Sequence, residues 1–129
     1  MQTFKKEERL NSKKLIEKLF DEGKSFKAYP LRVVWLEFDN KTTVPASILI
    51  SIPAKKFRSA SERNLLKRRI REAYRKNKEA FYMFLQNEHR KCVFAVLYIS
   101  DEMATYNELE QKIIYIFKRL QEEYENSDR

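Results

Sequence analysis

The sequence predicts an α+β protein, a sandwich of a small mixed sheet with helices in the order helix, strand region, helix, strand, helix. Three observations carry that prediction. Residues 92–99, CVFAVLYI, are apolar on both faces of a strand and so need cover from both sides. Residues 105–125 place Leu109, Ile113, Ile116, Phe117 and Leu120 at helical spacing. Residues 61–78, SERNLLKRRIREAYRKNK, gather apolar side chains on one helical arc, although eight of the eighteen positions are Lys or Arg.

The remaining elements follow in order. Asn11 and Ser12 are candidate N-caps for an amphipathic helix to about residue 22, with Leu15, Ile16, Leu19 and Phe20 on one face. Gly23, the only glycine, is placed as a C-cap. Residues 24–38 read as strand, and DNKTT as a hairpin turn into VPASILISIP. In that second run Ala46, Ile48, Ile50 and Ile52 share one face, Ser47, Leu49 and Ser51 the other, and Pro53 closes it. A loop over residues 55–60 leads into the basic helix, with Ser59 or Ser61 as cap.

The 129 residues have the size of a single domain, 1–129, with no repeat, linker or low-complexity tract. Hydrophobic residues at 43% and aromatics at 13% are enough for a core despite 36% charged residues. No apolar run reaches the roughly 20 residues that span a bilayer. MQTFKKEERL does not read as a secretory signal, and the single cysteine, Cys92, fits a reducing compartment, so the expected location is cytoplasmic.

The net charge of +8 points to an anionic partner, and its distribution is more informative than its sum. Residues 55–78 hold eleven basic and two acidic residues, a balance of +9, while the other 105 residues balance to −1. On a helical wheel Leu66, Ile70, Ala73 and Tyr74 form the core-facing arc. Asn64, Lys67, Arg68, Arg71, Arg75 and Lys78 lie roughly opposite, with Arg69 and Lys76 on a flank and Arg63 at the boundary. An ordinary solvated face interleaves Glu with Lys to gain i,i+4 pairs. This face is almost uniformly positive, which suits a polyanion.

KK at 55–56 followed by RNLLKRRIRE at 63–72 resembles the signature of the protein subunit of bacterial ribonuclease P. That signature has two lysines at a strand end, then an Arg-Asn pair opening a helix with a Lys-Arg pair and a further Arg one turn on. FKKEERLNSKKLIEKLFDEGKSF is similar to the family's N-terminal helix and glycine turn, and the match covers roughly residues 4–122. The resemblance implies an αβββαβα fold with a left-handed βαβ crossover. It implies that Arg63, Asn64, Lys67, Arg68 and Arg71 contact the catalytic RNA, with Lys55 and Lys56 extending that surface; the helical wheel adds Arg69 and Arg75 as candidate RNA-binding residues. It implies a cleft for the single-stranded 5′ leader of precursor tRNA, lined by Ile16, Phe20, Val34 and Trp35. The expected activity is endonucleolytic tRNA 5′ maturation performed by the RNA subunit with Mg2+. The expected partners are that RNA and precursor tRNA, with no cofactor held by the protein alone and no obligate protein partner. The chain departs from the signature at Leu65, often Arg, at Arg58 and Ser59, where a loop glycine is common, and at Val34, often aromatic.

Other sites read as structural. His89 and Cys92 are two potential zinc ligands where about four are needed. Cys92 has no partner base in the pattern and reads as a small buried hydrophobe. Phe20, Phe26, Trp35 and Phe38 are possible stacking platforms for bases, yet each aromatic taken singly is more often core. No glycine loop cradles phosphate and no paired carboxylates stand at catalytic spacing. Two rival classes remain, a stand-alone RNA-binding module and a membrane-surface protein, the latter opposed by the sheet's claim on the helix's apolar face.

Overall fold

The computed structural model describes residues 3–127. Four strands form one sheet: β1 (Lys24–Ala28), β2 (Leu31–Glu37), β3 (Ala46–Ser51) and β4 (Cys92–Tyr98), in the spatial order β1-β2-β4-β3. The doubly apolar strand β4 lies inside the sheet, antiparallel to β2 and parallel to β3, and all of it except Leu97 is buried. Its side chains alternate, so Cys92, Phe94, Val96 and Tyr98 enter one core while Val93 and Ala95 enter another.

Helices α2 (Ala60–Asn77), α3 (Glu79–Asn87) and α4 (Tyr106–Ser127) cover the first face. The core arc of α2 is the one the wheel gives: Leu66, Ile70, Ala73 and Tyr74 are fully buried. Leu109, Ile113, Ile116, Phe117 and Leu120 of α4 join them, with Tyr124 one turn on. The crossover from β3 to its parallel neighbour β4 runs through α2 and α3. The second face is covered by α1 (Lys13–Glu22) alone, through Leu15, Ile16 and Leu19. Ser12 is its cap, accepting from Leu15 N at 3.3 Å. A helix about 10 Å wide covers roughly half the ~20 Å length of these strands. The uncovered half carries Lys27 and Arg32, paired across β1 and β2, then Leu97 and Ser51 in the next registers.

Three features differ from the sequence reading. The run 24–38 is two strands, and the hairpin is at Tyr29–Pro30, a cis peptide, rather than at DNKTT. DNKTT is built from turn chemistry, with Asp39 Oδ1 accepting from Lys41 N at 2.9 Å and Lys41 at φ 62°. It delivers the chain past β4's position, so β2 and β3 are not neighbours. Gly23 is the C-cap of α1 as expected, its N–H donating to the Leu19 carbonyl at 2.8 Å, and its φ of −71° and ψ of 156° are extended. Glycine is needed there for space: a Cβ would lie 2.4 Å from the Leu19 carbonyl oxygen and 2.9 Å from that of Trp35. Residues of α3 form a helix the sequence reading passed over, nine residues anchored by Phe81 and Leu85. Lys78 closes α2 instead of continuing it, and its side chain turns inward.

Candidate nucleic-acid interface

The basic surface begins where β3 ends. Pro53 accepts from Lys56 N at 3.2 Å and from Phe57 N at 3.3 Å, so Lys55 and Lys56 sit on a tight turn. Phe57 plugs the core against Tyr98, 5.5 Å between ring centroids, and anchors the loop. Ser59, not Ser61, caps α2, its Oγ accepting from Glu62 N at 3.3 Å. The helix then presents its basic arc because the opposite arc is in the core.

The cations of this arc divide into two groups. Some are engaged within the protein. Arg63 donates to the carbonyls of Phe57 at 2.6 Å and Arg58 at 3.0 Å, tying down the entry loop. Arg69 donates to the Ala104 carbonyl at 2.6 Å, joining α2 to the loop before α4. Arg75 is paired with Glu72, its Nε 2.6 Å from Oε1. Lys56 reaches Asp101 at 2.9 Å, an exposed pair of little energetic weight. The others, Lys55, Lys67, Arg68 and Arg71, and the neutral Asn64 among them, have no hydrogen-bond or ion-pair partner among the described residues. Partial burial first, then the guanidiniums of Arg9 and Arg68, disfavour the charged form of Arg71. Arginine keeps its charge in proteins, so this is unfavourable energy that an approaching anion relieves.

Ile16, Phe20 and Val34 lie on the α1 side of the sheet. Val34 belongs to that core, Ile16 packs on it half-buried, and Phe20 is 46% exposed. Trp35 does not line this side. Adjacent strand residues point to opposite faces, and Trp35 is buried in the other core, 5.1 Å from the Tyr124 ring. Phe26 is core as well, beneath the Arg119 guanidinium at 4.6 Å, and Phe38 is half-buried against the α1 core. Phe20 is therefore the one of the four aromatics with a largely open ring.

Three cations escaped the sequence reading: Arg9, Lys27 and Arg32. Strand alternation places Lys27 and Arg32 on Val34's face once the hairpin is fixed at Tyr29–Pro30. Arg9 had no local signal, because its neighbour Arg71 is distant in sequence. Cys92 is fully buried and burial pushes its thiol up to about 12, so it stays protonated at neutral pH. No group of three or more His, Cys, Asp or Glu able to hold a metal occurs among the described residues, nor does a helix long and apolar enough to cross a membrane.

The family model described as Ribonuclease P matches residues 4–121. The ribonuclease P protein component of Porphyromonas gingivalis is 39% identical over 106 residues, 82% of this chain and 77% of that protein. That of Petrotoga mobilis is 36% identical over 80 residues, 62% of this chain and 64% of that protein. The RNase P protein from Thermotoga maritima superposes with a TM-score of 0.69 at 24% identity, covering 87% of this chain and 96% of that one. The Staphylococcus aureus RNase P protein gives 0.65 at 18% identity, covering 88% and 94%. The α+β sandwich with its mixed sheet is thus shared with solved bacterial RNase P proteins.

The two groups of cations should separate in stability. Arg69→Met removes a charged donor from the carbonyl of Ala104, a residue only 7% exposed, and should cost about 1–3 kcal/mol in urea unfolding. Arg68→Met, losing only an outward charge, should stay within about 0.5 kcal/mol of the parent.

Proposed function

The chain belongs to the ribonuclease P protein family, and on that premise we propose that it is the protein subunit of ribonuclease P, binding the catalytic RNA and the 5′ leader of precursor tRNA. The observation that carries this reading is the outward row on α2. Asn64, Lys67, Arg68 and Arg71 stand on a helix whose other side is fixed in the core, and they have no acidic partners among the described residues. Such a row gains little from water and much from a phosphate backbone, where each neutralised phosphate releases a counterion. Guanidinium groups add two-pronged hydrogen bonding to phosphate oxygens.

The sheet face beside α1 suits a single strand. Phe20 offers an open ring for a base to stack on, Ile16 and Val34 an apolar floor, and Lys27 and Arg32 positive charge along the uncovered half. Both surfaces offer cations, amides and apolar groups, the means to bind and orient RNA. The cationic face repels Mg2+ instead of ligating it, so the metal belongs with the RNA, where it would supply the hydrolytic chemistry. The protein's part is to hold two RNAs in register.

Replacing Lys67, Arg68 and Arg71 together by Met should leave far-UV circular dichroism unchanged. It should weaken binding to a bacterial ribonuclease P RNA by roughly tenfold or more and flatten the salt dependence by about two log units per log unit of salt. Unchanged affinity with an intact fold would contradict the reading.

The leader contact is read separately. Phe20→Ala should lose about 1–3 kcal/mol of binding for precursor tRNA with a long leader and almost none for leaderless tRNA, compared on folded protein by competition against the complex. Equal losses on both substrates would make Phe20 part of the α1 core alone.

A further inference from the structure

We propose that Arg9, outside the basic helix, is a phosphate-contacting residue of the same RNA surface, held there by a buried clip of Glu8, Lys78 and Tyr82. The inference rests on the RNA-binding reading of α2 and extends it to a second segment of the chain.

The segment before α1 lies along the free edge of β3. Leu10 N donates to the Ile48 carbonyl at 2.9 Å, and Arg9 pairs with Ile48 as an isolated parallel bridge. Three successive residues then go three ways. Leu10 is buried in the core beneath α1. Glu8, 1% exposed, points inward to the junction of α2 and α3. Arg9 is exposed on the α2 side, its guanidinium 5.7 Å over the Phe4 ring, and Phe4 stands edge-on to Tyr74 of α2 at 5.8 Å. Tyr74 is one turn beyond Arg71, and the Arg9 charge is felt at Arg71 ahead of that of Arg68. Arg9, Arg71 and Arg68 thus form a cationic row that leaves the axis of α2 and crosses to the edge of β3. Three like charges have been gathered from two segments, with Arg9 lacking an acidic partner among the described residues.

The clip makes this arrangement specific. Glu8 Oε1 accepts from Lys78 Nζ at 2.5 Å and from the Tyr82 hydroxyl at 2.5 Å, and Oε2 accepts from the Lys5 backbone N–H at 2.5 Å. Lys78 also donates to the Thr3 carbonyl, Tyr82 exchanges a hydrogen bond with Tyr74 at 2.5 Å, and Ser47 Oγ donates to the Glu7 carbonyl at 2.9 Å. A charged pair buried this deeply is a poor source of net stability but a strict constraint on geometry, because each member left alone is a buried unpaired charge. It fixes the residue before Arg9, as the β3 edge fixes the residue after. Phosphate on the α2 row therefore meets Arg9 already in place.

The test uses the full chain and a bacterial ribonuclease P RNA. Arg9→Met keeps the apolar contact with Phe4 and removes the charge; far-UV circular dichroism and urea unfolding verify the fold. The expected result is a roughly three- to tenfold loss of affinity and a salt slope shallower by about 0.7–0.9, one phosphate contact. In the clip variant Glu8→Gln with Lys78→Met, affinity should fall by a similar factor, and adding Arg9→Met should then change neither affinity nor slope. Parent-like affinity and slope for Arg9→Met, while Arg68→Met loses both, would overturn the proposal and leave the α2 reading standing. Parent-like behaviour of Arg68→Met as well would remove the α2 reading itself. A further full loss when Arg9→Met is added to the clip variant would show that Arg9 acts without the clip. If the clip variant does not fold, Arg9→Met alone decides the contact.

Discussion

The structure depends on the burial of four side chains, Leu66, Ile70, Ala73 and Tyr74, along one side of α2. The other side repels itself. Arg63 with Lys67, Lys67 with Arg71 and Arg71 with Arg75 are like charges one turn apart, at about 0.2–0.5 kcal/mol each, roughly 1 kcal/mol in all. Fully burying a Leu or Ile contributes about 1.5–3 kcal/mol, so Leu66 and Ile70 alone outweigh the repulsion. The core thus holds a helix whose exposed surface can be given over to charge. The helix forms because of one face and, under the proposed function, binds RNA through the other.

The same division of faces runs through the sheet. β4 needs cover on both sides, and the two covers differ in size. Three helices seal one face, whereas α1, ten residues long, seals part of the other. Incomplete cover leaves Phe20, Lys27 and Arg32 available on the α1 side. The segment through Glu8, Arg9 and Leu10 closes the edge of β3 between the two layers. An edge that would otherwise offer unpaired backbone groups becomes the link between the basic helix and the α1 face.

Much of this was legible in the residues. Periodicity places α4 and the core arc of α2, two-sided apolarity places β4 inside the sheet, and Ser12 marks the start of α1. The rest failed for physical reasons. The β1–β2 hairpin turns on Tyr29–Pro30 with no Gly, Asn or Asp to mark it, whereas DNKTT has ideal turn residues but connects strands that β4 separates. Helix α3 is too short for a strong periodic signal. Lys78 was placed outward by extending the wheel one residue past the end of α2. Trp35 was assigned to the cleft by its nearness to Val34 in sequence, where alternation puts it on the far face. Apart from the local Glu72–Arg75 pair, the division of the basic residues into structural and outward-facing groups was not legible. It rests on carbonyls of Phe57, Arg58 and Ala104 that only the folded chain brings within reach of Arg63 and Arg69.

Under the proposed function the protein is an accessory to chemistry done by RNA, lending positive charge and a stacking surface where the RNA has too much negative charge to bring substrate close. Such help matters most when magnesium is scarce, because protein cations then replace the screening that metal ions otherwise supply. The most direct measurement is the rate of 5′ leader removal from precursor tRNA by a bacterial ribonuclease P RNA at low magnesium, with and without the stoichiometric protein. The account predicts little cleavage by either component alone and a large increase when they are combined. A rate unchanged by the folded protein would contradict it and leave a general RNA-binding module in its place.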